Sequence, residues 1–338
     1  MKQFLLTAML LLVPLFATAQ TDNKIIVESV EGHILPRIDA LADNTAQLEI
    51  AARDDCMPNS APLRSAYGRA FDAWVSASHL RFGPSEVDDR AFALAFWPDS
   101  RGVTPRALAQ LIADQDPIAA TPEAYAQMSI AARGFYALEF LLYDADLIRE
   151  GDADYHCTLV QTVAGDIART SSAIATDWHT NYAAQMLAPQ EKAKYRRADE
   201  VLRELFKALT TGLQFTSETR LGRPLGTYDR PRPMRAENWR SGRSARHVSL
   251  SLASLQDLAA RLANSDPDLA MRLAEVFAQA QARLDALDDP VFARITDPQR
   301  RLKLEVVQQS VDSIREVVRN ELGPSLGVAA GFNSLDGD

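Results

Sequence analysis

Apolar residues recur along this chain at three- and four-residue steps. Ile26, Val30, Ile34, Ile38, Leu41 and Leu48 form one stripe, and Leu63, Tyr67, Phe71, Trp74 and Ala77 form a second. This is the period of an amphipathic helix. Thr104-Pro105 and Thr121-Pro122-Glu123 each place a hydroxyl cap before a proline, which is a helix start. The second of these predicts a long helix through Phe135, Leu138 and Leu142. Leu159, Val163, Ile167, Ile174 and Trp178 mark another, and residues 190–215 carry Val201, Leu205, Leu209 and Leu213. Three more helices are predicted over 248–262, 269–287 and 298–322. Gly83-Pro84 stops the second helix and Gly323-Pro324 the last, while Pro36 starts the first helix late or kinks it. No period-2 run long enough for a strand is found. The pattern therefore predicts an all-α protein of eight long helices, four before Pro189 and four after it. We read these as two four-helix bundles, 20–186 and 187–338. Two long irregular connectors, 83–103 and 216–247, separate helices, and long loops of this kind are usually functional or disordered. No repeat relates the halves.

The first residues change the picture of where this fold resides. Lys2, the apolar run from Phe4 to Phe16 and Ala17-Thr18-Ala19 read as a secretory signal peptide over 1–19, too short to span a bilayer. Cleavage before Gln20 predicts an exported, periplasmic or similar, mature chain that is soluble and has no transmembrane span. An oxidising compartment favours a bond between the two cysteines, Cys56 and Cys157; two separate buried thiols are the alternative. Closing a loop of that length is worth roughly 4–5 kcal/mol in the chain-entropy picture.

Of the 338 residues 47% are hydrophobic, enough for a packed core, and the net charge of −9 argues against a globally cationic nucleic-acid binder. One segment runs the other way. Arg220, Arg223, Arg230, Arg232, Arg235, Arg240, Arg243 and Arg246 are opposed only by Asp229 and Glu237 between residues 220 and 246. Arginine forks suit carboxylates and phosphates. They either tie the connector to acidic helices of the same chain or present it to a partner.

Residues 133–142, Arg-Gly-Phe-Tyr-Ala-Leu-Glu-Phe-Leu-Leu, resemble the Gly-x-His-x-x-Glu motif of the imelysin-like proteins, a group classed with peptidases. His33-Ile34-Leu35-Pro36, Arg81-Phe82-Gly83-Pro84, Phe96-Trp97-Pro98-Asp99, Ser241-Gly242-Arg243-Ser244 and the tail from Gly331 to Asp338 fit the same group. The resemblance covers nearly the whole mature chain. It implies an exported protein of two helical bundles with a site between them, and a link to iron acquisition or to peptidase activity. On that basis His33, Tyr136 and Glu139 are candidate metal ligands. Arg81, Trp97, Asp99, Arg133, Arg220, Ser241 and Arg243 are candidate ligand-binding residues. The turn Trp97 to Arg101 is either a packed loop or part of the site rim.

The motif histidine is Tyr136 here. Side chains three apart on a helix share a face, so Tyr136 and Glu139 converge. A neutral phenol is a poor zinc ligand, whereas a phenolate and a carboxylate suit a hard ferric ion. Iron is therefore favoured over zinc. Glu139 has Phe135, Leu138 and Leu142 as helical neighbours and so points at a core face. A buried carboxylate needs a cation, a metal or a proton, the cation being Arg133 or Arg81. His33 lies near the first helix start and is otherwise a capping or satisfied histidine. His79, His156, His179 and His247 show no paired ligand spacing, and there is no His-Glu-x-x-His, Gly-x-Ser-x-Gly or phosphate-loop signature. An active zinc peptidase is not expected, because the ligands and a free base are too few. Three functions follow: a metal-linked binding or uptake-accessory protein with a small ligand or metal as partner, a metallopeptidase using His33 and Glu139, or a structural partner of envelope proteins.

Overall fold

The computed structural model describes residues 22–328. The leader 1–19 and the tail Gly331–Asp338 lie outside the described residues. A helix over 22–29 runs through a π turn, Val30–Ile34, into α1, Leu35–Asp54. There follow α2, Ala61–Ala77; α3, Val103–Asp114; α4, Gly134–Tyr143; and α5, Ala153–Asp177. The second half contains α6, Ala198–Gln214; α7, Ser244–Leu262; α8, Pro267–Asp285; and α9, Pro298–Val317. Among the described residues there is no strand, only an isolated bridge between Thr227 and Arg230. The protein is all-helical, as its apolar period predicts.

In the first half α1 packs on α2 and α5, and α4 lies on α5. In the second half α7 and α9 each contact α6 and α8. The main contact between the groups is α2 against α7. One continuous cluster of buried apolar side chains includes residues of both groups. Cys56, at the end of α1, is bonded to Cys157 in the first turns of α5, with Cα atoms 5.1 Å apart.

The predicted helix over 121–142 is broken. Pro122–Tyr125 is one turn, Ile130–Ala132 is a 3-10 turn, and α4 begins only at Gly134. Gly134 has φ +76°, and a Cβ there would collide with the backbone carbonyls of Ala93 and Leu94. Only glycine tolerates that dihedral together with that approach. The 83–103 connector is partly ordered, with a short helix at Arg90–Leu94, and α6 starts at 198 rather than 190.

Among the described residues four π turns widen the long helices: Val30–Ile34, Trp178–Tyr182, Phe215–Leu221 and Val318–Leu322. Three of them end just before a proline, Pro36, Pro224 and Pro324. Proline lacks an N–H and crowds the carbonyl four residues earlier, so the turn before it opens instead of the helix stopping. Gly323-Pro324 accordingly continues the last helix for one more turn, Gly323–Ser325, and does not end it. His33 and Arg220 both sit on such turns, where π geometry often accompanies function.

Candidate functional site

The region between α2 and α7 carries two buried polar clusters. The first is built around Glu237, a connector residue only 2% exposed. Its Oε2 accepts a hydrogen bond from Arg220 Nε at 2.7 Å, and its Oε1 accepts a short one from the Tyr136 hydroxyl. Arg220 also donates to Ser251 on α7 and to Ser78 at the end of α2. Burial alone would raise the Glu237 carboxyl, but Arg220, His247 and Tyr136 hold it well below the usual carboxylate range. Conversely, burial and then the Glu237 charge hold the Tyr136 phenol far above its usual range, so it stays protonated. Trp97 stacks on Tyr136 with centroids 6.1 Å apart, and Phe71 meets it edge-on at 5.2 Å.

Glu139 lies one turn further along α4 and is 3% exposed. Its Oε1 accepts from the backbone N–H of Ser241 at 3.0 Å and from the Ser241 hydroxyl at 2.8 Å. No arginine pairs with it. Burial therefore dominates and pushes its carboxyl up to about 7, against those two hydrogen bonds. Of the partners expected from the sequence, the proton is the one that fits. The Ser241 hydroxyl also reaches the carbonyl of Asn238, whose Nδ2 donates to Tyr67. In the same part of the structure Asn238 Oδ1 and both ring nitrogens of His247 are buried without a hydrogen-bond partner. His247 Nδ1 is 3.2 Å from Glu237 but is too poorly aligned for a hydrogen bond.

The second cluster holds His33. Its Nδ1 meets Asp257 Oδ2 at 2.7 Å, and its Nε2 faces His79 Nε2 at 2.8 Å. One ring must donate and the other accept, so the pair holds a single proton between the two nitrogens. Burial lowers His33 to about 4 despite the Asp257 hydrogen bond, and lowers His79 strongly, reinforced by His33, Arg37 and Arg220. Those arginines, with Arg261 beside Asp257, make the surroundings cationic.

The candidate residues thus separate. Tyr136, Glu139, Arg220 and Ser241 come together around the Glu237 and Asn238 stretch of the connector. Trp97 covers Tyr136. Arg243 pairs with Asp72 on α2 and also donates to the Gly68 carbonyl. Arg81 pairs instead with Glu86 in its own loop at 2.6 Å. Arg133 is buried against Asp166 of α5, with bonds of 2.8 and 2.9 Å. Neither reaches Glu139. Asp99 accepts the backbone N–H groups of Arg101 and Thr104 and so caps α3. His33 is bonded in the second cluster, away from the hydrogen bonds of Tyr136 and Glu139. Among the described residues no group of three or more His, Cys, Asp or Glu side chains is arranged to hold a metal ion. The His33–Tyr136–Glu139 set does not assemble as one shell. The donor types left without partners in this region, a carboxyl, an amide oxygen and an imidazole, are chemically suited to a metal.

Glu237, Asn238, His247 and His79 carry no motif that marks them as site residues in the sequence. One local signal existed for His247. Ser244, His247, Ser251 and Ser254 are all buried and recur at three- and four-residue steps on α7, a polar stripe where an apolar one is the rule. Nothing local joins His33 to His79, 46 positions apart.

Comparison with known proteins agrees with this architecture. The Imelysin family model, labelled Peptidase M75, matches residues 34–318. Iron-regulated protein A of Synechococcus elongatus is 23% identical over 339 aligned positions, covering 91% of this chain and 89% of that protein. An imelysin-like protein from Psychrobacter arcticum superposes with a TM-score of 0.77 at 22% identity, covering 93% of this chain and 98% of the other. A protein assigned as an iron-regulated protein A precursor, from Parabacteroides distasonis, superposes with a TM-score of 0.74 at 13% identity, covering 90% and 95%. The chain belongs to the imelysin family.

Proposed function

We infer that this imelysin-family chain is an exported binding protein of iron metabolism, with its site at the seam where the connector residues Glu237 to Ser241 meet α4. The iron link is supported by relatives named as iron-regulated proteins. The observation that carries the site is the state of Glu139. It is a buried carboxyl with a proton-binding midpoint of about 7, bonded to Ser241, whose hydroxyl also reaches Asn238. A structural ion pair would leave Glu139 ionised against a cation, as Glu237 is against Arg220. Glu139 instead carries an exchangeable proton near neutral pH, so an incoming cation can replace it. Glu139, Asn238 and His247 are the residues that would hold an iron ion. The ion would supply the positive charge that Glu139 lacks.

The decisive measurement is calorimetric titration of chelator-free protein with ferrous, ferric and zinc salts at pH 6 and pH 8. We expect saturable iron binding that is tighter at pH 8, with proton release, and that is lost in Glu139→Gln while the helical spectrum is retained. Equal binding by the Gln variant, or no saturable binding at either pH, would retire this reading.

A further inference from the structure

We propose that the outer half of the arginine connector, residues 226–235, together with the adjoining start of α9, is a docking surface for an anionic lipid bilayer. Seven of the eight connector arginines divide into two sets, and Arg223, which donates to Ser100, belongs to neither. Arg220, Arg240, Arg243 and Arg246 are each paired with an acidic side chain of this chain. Arg230, Arg232 and Arg235 have side chains with no hydrogen bond, ion pair or ring contact. Arg294, exposed on the neighbouring 3-10 turn Ala293–Thr296, and Arg300, half-buried on α9, are likewise unpaired. That turn packs against Pro233–Arg235, so the cation-bearing segments lie side by side.

No acid nearby forms an ion pair with these arginines, although Asp289 and Asp297 keep their charge while accepting backbone N–H groups. Asp289 accepts the backbone N–H groups of Ala293 and Arg294, and Asp297 those of Gln299 and Arg300. Asp229 is the only acid in the loop itself.

Large apolar side chains stand among the free cations. Tyr228 is 71% exposed and Met234 68%, the two highest values for large hydrophobic residues among those described, and Leu302 is 59% exposed. The loop that presents them is held in shape. Arg230 N–H bonds the Thr227 carbonyl at 3.0 Å, Arg232 N–H bonds that of Pro224 at 2.7 Å, and Arg301 Nη1 anchors the carbonyls of Leu225 and Thr227. The Arg301 guanidinium lies 5.7 Å from the Tyr228 ring, which fixes this tip against α9.

Unpaired arginines interleaved with an aromatic, a thioether and a leucine are the chemistry of the head-group region: forks for phosphate, apolar side chains for the acyl boundary. A bilayer surface asks for no shape complementarity, which suits a projecting loop tip. The rest of the chain is acidic, with a net charge of −9. An anionic surface therefore repels the other faces and orients the molecule with this one inward. Among the described residues no helix is long and apolar enough to cross a membrane, so such contact is peripheral.

The test uses the chain from Gln20, because the apolar leader would itself bind lipid. Co-sedimentation with vesicles containing phosphatidylglycerol is compared with pure phosphatidylcholine, at low and high salt. We expect binding to the anionic vesicles only, lost at high salt. The double variant Arg230→Gln/Arg235→Gln should weaken partitioning about 25-fold, at about fivefold for each basic residue removed. Tyr228→Ser/Met234→Ser should weaken it while keeping the salt dependence. Neutralising Arg149 and Arg197, exposed elsewhere, should change little, and thermal melts check that each variant folds. Three results would overturn the proposal: no binding to anionic vesicles, equal binding to neutral ones, or binding to an acidic polypeptide such as polyglutamate in place of vesicles.

Discussion

Residues 226–235 and 237–246 belong to the same arginine-rich connector, yet their charges meet opposite fates. In the inner stretch Glu237 is closed by Arg220, Arg240 meets Asp144, and Arg243 and Arg246 share Asp72. In the outer stretch no charged side chain has a partner. The difference lies in the neighbours. The inner stretch lies against α2 and α4, which bring Asp72 and the nearby Asp144 within reach; the outer stretch packs on the 3-10 turn before α9, whose acids cap backbone amides. One run of like charge is thus two devices, a clamp between the helix groups and a free cationic rim.

The comparison breaks most readily at Glu237. Glu237→Ala leaves Arg220 buried without its counter-charge and the Tyr136 hydroxyl without its acceptor, and we expect a loss of about 3–5 kcal/mol in urea unfolding. A loss below about 1 kcal/mol would mean that the inner stretch is no clamp.

Glu139 sharpens it next, through pH. Its folded midpoint of about 7 lies above the ordinary 4.5, so the native state holds the proton more tightly than the unfolded chain. That favours folding at low pH, and the advantage is lost as pH rises from about 4.5 to about 7. Glu139→Gln should therefore match the parent near pH 4 and exceed it at pH 8, by on the order of 3 kcal/mol. A difference independent of pH would show that Glu139 is not held protonated.

The smallest effect belongs to the outer stretch. Arg235→Ala should stay within about 0.5 kcal/mol of the parent in the same unfolding experiment, as expected for an exposed side chain without contacts. A larger loss would reveal a structural partner and erase the contrast.

Much of this architecture is legible in the chain because burial leaves a period. α1, α2, α5, α7, α8 and α9 follow from apolar steps of three and four, and the buried position of Glu139 follows from Phe135, Leu138 and Leu142 around it. The break before α4 is not legible, since apolar residues continue across it; it depends on Gly134 meeting the carbonyls of Ala93 and Leu94, which come from another part of the fold. The site was half visible for a similar reason. Tyr136 and Glu139 share a helix face and can be read together. Glu237 sits in an irregular segment without a period, and there it reads as a counter-charge lost among arginines. Its role exists only once Arg220, Tyr136 and His247 arrive from three different elements.

The π turns have a consequence for phase. Each accommodates an extra residue in a helix, which advances the faces downstream by about 100° relative to an unbroken wheel. Across Val30–Ile34 the buried Ile26, Ile38 and Leu41 share one stripe, but Ile25 is buried too, although it lies off that stripe on a 3.6-residue wheel. The extra residue works as a gear between two rotations of one rod. It lets the segment before Pro36 keep its own apolar face inward and, in the same step, turns His33 toward His79.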